Sequence, residues 1–306
     1  MLNLVINMKR IKTICLSIIS LILVVISCIC VYAETIYEYY GYSYVIVDNK
    51  SLSLVGWDYR TPELIIPDSI NGRSVTSIVS GAFEGNNELT ALDFSKTNSL
   101  NRIGAYAFQD CNGINQPLVL SESITEIENG AFQGCSSIPS VTINSTVTTI
   151  PNQCFNNCTS LVNAELPEGV ERINAWAFAN CTSLEYVNIP STVSFISDYA
   201  FNGDSTLTLG VWYGTAGYDY AIVQNIPYVL LDGIKLGDVS GDGSVNINDV
   251  TTIQRYLAEL ETLEGIYLHA ADANQDGTVD ISDATALQMY IAEYDLPYPI
   301  GEVMTQ

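Results

Sequence analysis

Twelve residues from Asp238 to Asp249, DVSGDGSVNIND, and twelve from Asp272 to Asp283, DANQDGTVDISD, repeat one chemical pattern 34 residues apart. Each has oxygen-bearing side chains at positions 1, 3, 5 and 12 and a glycine at position 6. A hard cation takes about 6 to 8 oxygens at roughly 2.3–2.6 Å, so the chain holding it must wrap tightly, and glycine permits that turn. The chemistry expected is calcium binding, with two ions, one per loop. The first loop offers Asp238, Ser240, Asp242, the carbonyl of Ser244, Asn246 through water, and Asp249. The second offers Asp272, Asn274, Asp276, the carbonyl of Thr278, Asp280 through water, and Asp283. Solvated acidic turns are the bland rival, because Asp, Asn and Gly populate turns in any case. Two copies in register, each followed by a helical pattern, favour the ion. The helical patterns are Val250, Ile253, Leu257 and Leu260, then Ala284, Leu287 and Ile291. Four carboxylates against three predict tighter binding in the second loop.

Two departures from an ordinary EF-hand stand out: position 12 is Asp, not Glu, and no amphipathic helix pattern precedes either loop. The strings GDVSGDGSVNINDVTTIQRYLAEL and ADANQDGTVDISDATALQMYIAEY, within Gly237 to Tyr294, resemble the type I dockerin family. That resemblance implies calcium-dependent docking onto the cohesin domain of a scaffoldin, within a cellulosome that degrades plant polysaccharide. It also implies partner-reading residues at loop positions 10 and 11 and further along each helix. Here these are Ile247, Asn248, Gln254 and Arg255, then Ile281, Ser282, Gln288 and Met289. Their near duplication suggests two docking orientations related by a pseudo-twofold, with Arg255 against Met289 breaking the symmetry.

The elements ahead of the loops follow a second repeat. An Ile, four residues and then Phe recur in SIVSGAFEG, RIGAYAFQD, EIENGAFQG, TIPNQCFNN, RINAWAFAN and FISDYAFNG. The phenylalanines, Phe83, Phe108, Phe132, Phe155, Phe178 and Phe201, are 25, 24, 23, 23 and 23 residues apart, a period that signals a solenoid. Three positions past Phe stand Cys111, Cys135, Cys158 and Cys181, with Asn86 and Asp204 in the end repeats. One coil cannot cover these side chains alone, so stacked coils must create the core. The pattern resembles the leucine-rich repeats of BspA-like bacterial surface proteins. The second repeat departs from it, with Pro117 where Val is expected.

The expected fold class is α+β: a leucine-rich-repeat solenoid of strand-containing coils with end caps, followed by a small all-α dockerin with two calcium loop–helix units. The domains expected are a signal peptide (1–33), an N-terminal β cap (34–66), six coils (67–211), a C-terminal cap (212–233) and the dockerin (234–306). Lys9, Arg10 and Lys12, an apolar run and a small residue at Ala33 carry the signal-peptide reading, with a membrane anchor as rival. Cleavage there leaves 8 Lys and Arg against 34 Asp and Glu, a charge of −26 that repels nucleic acid and anionic lipid. A secreted, extracellular protein of a cellulosome or cell surface is expected.

Five cysteines follow the leader, and their repeat spacing reads as buried thiols rather than a disulfide framework. The tyrosines of Tyr37 to Tyr44 read as a strand cap, with sugar stacking as the alternative. With His269 as the only histidine, triad chemistry has little to work with, and a non-enzymatic protein is expected. Glu126, Glu165, Glu171 and Glu185 keep a hidden glycoside hydrolase open as an alternative, with a peptidase beside it. Another is a surface adhesin whose calcium module is structural. If the solenoid binds a protein or polysaccharide, the outward positions Ala91, Asp93, Ser140, Thr142, Asn163, Glu165, Tyr186 and Asn188 are the expected face.

Overall fold

The computed structural model describes residues 35–58, 61–231 and 233–304. The signal-peptide segment lies outside them. Strands Tyr37–Tyr39, Tyr42–Ile46 and Ser51–Trp57 form an antiparallel meander, whose last strand pairs in parallel with Arg73–Ile78. The turn between the second and third strands is the expected Asp-Asn one: the Asp48 carboxylate accepts the N–H groups of Lys50 and Ser51, each at 2.7 Å.

Each coil then contributes two short parallel ladders and a turn. In one ladder Ile78, Ile103 and Ile127 pair in sequence, and Ile150, Ile173 and Ile196 continue further along. In the other, Leu118, Val141 and Ala164 pair, and Val187, Leu209 and Tyr228 follow. The register corrects the reading of the second repeat: Leu118, not Pro117, sits opposite Val141 and points inward. The stretch from Phe108 to Leu118 is one residue longer than from Phe132 to Val141, which displaces Pro117 from the inward position. In the turns the six phenylalanines stack at 5.0, 5.3, 5.5, 5.4 and 5.3 Å with planes within 13° of parallel. Coil spacing near 4.8 Å brings identical rings into contact, so each buries its faces on its neighbours. All five described cysteines are free and buried.

After the last coil, Thr215 caps helix α1 (Ala216–Gln224), and strand Tyr228–Leu230 adds to Thr208–Val211. The C-terminal region holds α2 (Ile247–Leu257), α3 (Gly265–Ala271) and α4 (Ile281–Ile291). Helix α3 corrects the expectation that no helix precedes either loop, for it ends against Asp272. Its seven residues are too few for a periodic signal to stand out. The apolar stripes are also shorter than the pattern suggested. Val250, Ile253, Ala284 and Leu287 are buried, but Leu257, Leu260 and Ile291 are exposed. The left-handed residues Glu259 (φ 56°) and Glu293 (φ 61°) turn the chain away at each helix end, so Leu260 never joins the helix.

The two halves are joined. Gly301 and Glu302 exchange hydrogen bonds with Leu236, Met304 donates to Ile234, and the Leu230 N–H donates to the Met304 carbonyl at 3.3 Å. Tyr213 of the cap lies 6.4 Å from the ring of His269 on α3. Leu236, Val239, Ile300 and Met304 bury into one hydrophobic cluster continuous with the solenoid core.

Candidate functional site

Each loop is held by the carboxylates at its two ends. In the first, Asp238 accepts the N–H groups of Asp242 (3.1 Å) and Gly243 (2.9 Å), and Asp249 accepts those of Ser240 (2.8 Å) and Asn246 (2.7 Å). The second repeats this bond for bond: Asp272 takes Asp276 (3.0 Å) and Gly277 (2.9 Å), and Asp283 takes Asn274 (3.1 Å) and Asp280 (2.8 Å). Gly243 and Gly277, at position 6, have φ of 86° and 90°, in the left-handed region where a side chain is strained. At position 5, Asp242 and Asp276 accept the N–H groups of Ser244 and Thr278.

The same residues start the helices. Asn246 and Asp280 are N-caps, and Asp249 and Asp283 complete capping boxes from the N3 position. Two side chains per loop therefore serve both loop and helix, which ties the entry of α2 and α4 to loop geometry.

Asp238, Asp249 and Asp283 are buried. Burial pushes the Asp283 carboxyl above the usual carboxylate range, with the charges of Asp272 and Asp276 adding to it against the pull of two N–H donors. Hydrogen bonds from Thr278 pull Asp276 the other way. Among the described residues, no three acids, histidines or thiols draw together tightly enough to form a metal centre unaided. An oxygen-only donor set, with the charges of Asp272 and Asp276 felt at Asp283, is the chemistry that a hard divalent cation takes.

The eight residues expected to read a partner are all exposed: Ile247, Asn248, Gln254 and Arg255 on α2, and Ile281, Ser282, Gln288 and Met289 on α4. The two helices lie against each other, while the solenoid reaches the module through α3 and the C-terminal tail. The copies differ in detail. The Asn274 amide donates to Ser282 Oγ at 2.7 Å, and Arg255 pairs with Glu261 at 2.9 Å. Tyr290 and Tyr294, not among the residues expected from the sequence, are exposed at and just past the end of α4 and line an open groove with Asn246.

On the solenoid, the positions expected to face outward flank the buried residues Leu92, Val141, Ala164 and Val187. Thr142 donates to Glu165 at 3.0 Å across neighbouring coils. Of the four glutamates kept open for catalysis, Glu126 pairs with Arg102 at 3.7 Å, and Glu165 is this ladder's acceptor.

Two family profiles match the chain: BspA type leucine-rich repeat region, in six copies over residues 73–208, and dockerin type I domain, over residues 236–292. None of the curated proteins compared with the chain is a match. Among solved structures, a leucine-rich repeat protein of T. pallidum is 25% identical, with a TM-score of 0.52, over 57% of this chain and 80% of that one. A leucine-rich cell surface protein of Faecalibacterium prausnitzii is 22% identical (TM-score 0.45; 57% of this chain, 54% of that one). A leucine-rich repeat protein of Bacteroides ovatus is 21% identical (TM-score 0.44; 58% and 53%). The chain thus joins a BspA-type leucine-rich repeat solenoid to a type I dockerin, a kind of domain that binds calcium and docks to cohesins. Both are non-catalytic modules, and no helix among the described residues is long and apolar enough to cross a membrane.

Proposed function

We propose that this is a secreted, non-catalytic component of a cellulosome, in which the dockerin fixes the chain to a scaffoldin cohesin and the solenoid recognises a protein or polysaccharide during plant-polysaccharide breakdown. Two calcium ions are held, one by Asp238, Ser240, Asp242, the Ser244 carbonyl, Asn246 and Asp249, the other by Asp272, Asn274, Asp276, the Thr278 carbonyl, Asp280 and Asp283. The cations neutralise charge that these loops otherwise concentrate. The chain's own work is to hold α2 and α4 at the angle that presents Ile247, Asn248, Gln254, Arg255, Ile281, Ser282, Gln288 and Met289 to the cohesin.

The observation that carries this reading is the duplicated loop network, in which the twelfth-position aspartates cap the very helices whose outer residues stay exposed. Coupling a loop to a helix N-terminus in this way makes the docking face depend on the loop's ion. Titration calorimetry against a panel of cohesins tests it. Binding to at least one cohesin in calcium, with loss of at least a hundredfold in chelator, is expected. Chelator-insensitive binding, or no binding across the panel, refutes it.

A further inference from the structure

The column of residues three past each core phenylalanine runs Asn86, Cys111, Cys135, Cys158, Cys181, Asp204. In four coils the thiol donates to the phenylalanine carbonyl one coil earlier: Cys111 to Phe83 and Cys135 to Phe108 at 3.0 Å, Cys158 to Phe132 at 3.3 Å, Cys181 to Phe155 at 3.2 Å. By the same register, the next link would set Asp204 against the Phe178 carbonyl. The register continues unbroken: Phe178 and Phe201 stack at 5.3 Å, and Asn180 donates to the Asn202 carbonyl at 2.8 Å, as Asn157 does to Ala179 at 2.9 Å. Each column side chain also lies beside the backbone N–H of its predecessor, Cys181 beside Cys158 and Asp204 beside Cys181.

A carboxylate cannot do what the thiols do, because it has no proton to give. Both Asp204 oxygens are buried without a hydrogen-bond partner. The neighbouring Cys181 N–H is committed to the Phe178 carbonyl at 3.2 Å. The other titratable groups around Asp204 offer no cation: Cys181 from the coil before, Asp198 from the preceding turn and Tyr220 from α1. Burial holds the Tyr220 phenol up at about 12 and the Cys181 thiol above its usual value. An open cleft of about 320 Å³, lined by Asp198, Asn202, Asp204, Tyr220 and Asn225, lies beside the carboxyl.

We propose that Asp204 is a proton-binding group that closes the thiol ladder. Its neutral carboxyl donates to the Phe178 carbonyl, and its ionisation, with the proton passing to water through the cleft, loosens the last coil from α1. Because α1 leads into Tyr228–Leu230, and Leu230 is bonded to Met304, the same proton secures the junction with the dockerin. Burial has pushed the carboxyl up to about 7, outweighing the nearby Cys181 N–H, which pulls it down but points its proton at the Phe178 carbonyl. A folded-state pKa raised above the unfolded value of about 3.9 contributes stability that is complete below that value. The contribution is lost as pH rises through about 7.

The test uses the full chain in saturating calcium at about pH 5.5 and about pH 8.5, on either side of the transition. All proteins carry His269→Gln, which leaves no imidazole in the chain. The solenoid's unfolding temperature is expected to fall between the two pH values, and Asp204→Asn and Asp204→Cys, which keep a donor at both, to remove the fall. An undiminished fall in Asp204→Asn overturns the proposal. Should the variants fail to fold, the Asp204 carboxyl carbon is titrated by NMR in the parent chain. A midpoint near 7 is expected there, and one in the ordinary aspartate range overturns the proposal.

Discussion

Asp249 and Asp283 each do two jobs, holding a loop from its far end and capping the helix that follows. Removing one carboxylate should therefore act on metal and helix together. Asp283→Ala is expected to lower the calcium stoichiometry from two to one and to open the capping box of α4, lowering its helicity. Isothermal titration with circular dichroism reads both, and unchanged stoichiometry would contradict the ligand assignment. The loops also differ in charge, with Asp272, Asp276, Asp280 and Asp283 in the second against Asp238, Asp242 and Asp249 in the first. The second site is expected to fill at lower calcium. Equal affinities would mean that shape outweighs charge count.

Within the solenoid, the coil is the unit that matters, and its stability comes from contact with the next. Gly113 makes the point sterically: a Cβ there would lie 2.3 Å from the Asn87 carbonyl and 2.6 Å from that of Leu89, both backbone atoms of the coil before. Gly113→Ala is expected to force these coils apart and cost about 1–3 kcal/mol, the usual scale for overpacking. Urea unfolding of the full chain measures it, and a neutral result would show that the coils can slide apart freely. Tyr106, Gln153 and Trp176 hold left-handed backbone at φ of 57°, 58° and 56°. Tyr106 and Gln153 each direct an N–H to a carbonyl of the next coil at 3.0 Å, which offsets the strain. No propensity rule would place Trp there; the stacking of coils imposes it.

At the scale of the whole molecule, the dockerin is bonded to the cap rather than hung from a tether. Deleting residues 300–306 removes the tail that bonds Leu230 and Leu236 and buries Ile300 and Met304. The deletion is expected to split a shared thermal transition into two and to lower the dockerin's, with its calcium loops untouched. Calorimetry in saturating calcium checks this, and an unaltered profile would show that the junction contributes nothing.

Loops, coils and their order were legible in the amino-acid string, because oxygen-bearing side chains, core phenylalanines and thiols recur at fixed intervals and interval alone specifies how a repeat stacks. The residues on α2 and α4 that the dockerin resemblance marked for a partner were legible as positions, and all eight are exposed. Hidden from that reading were α3, too short to show a period, and the inward turn of Leu118, which depends on pairing with Val141. Hidden too were the tail's bonds to Ile234 and Leu236, and the burial of both Asp204 oxygens without a hydrogen-bond partner. These are contacts between residues far apart in the chain, and local spacing carries no information about which distant groups meet or how much water they lose when they do.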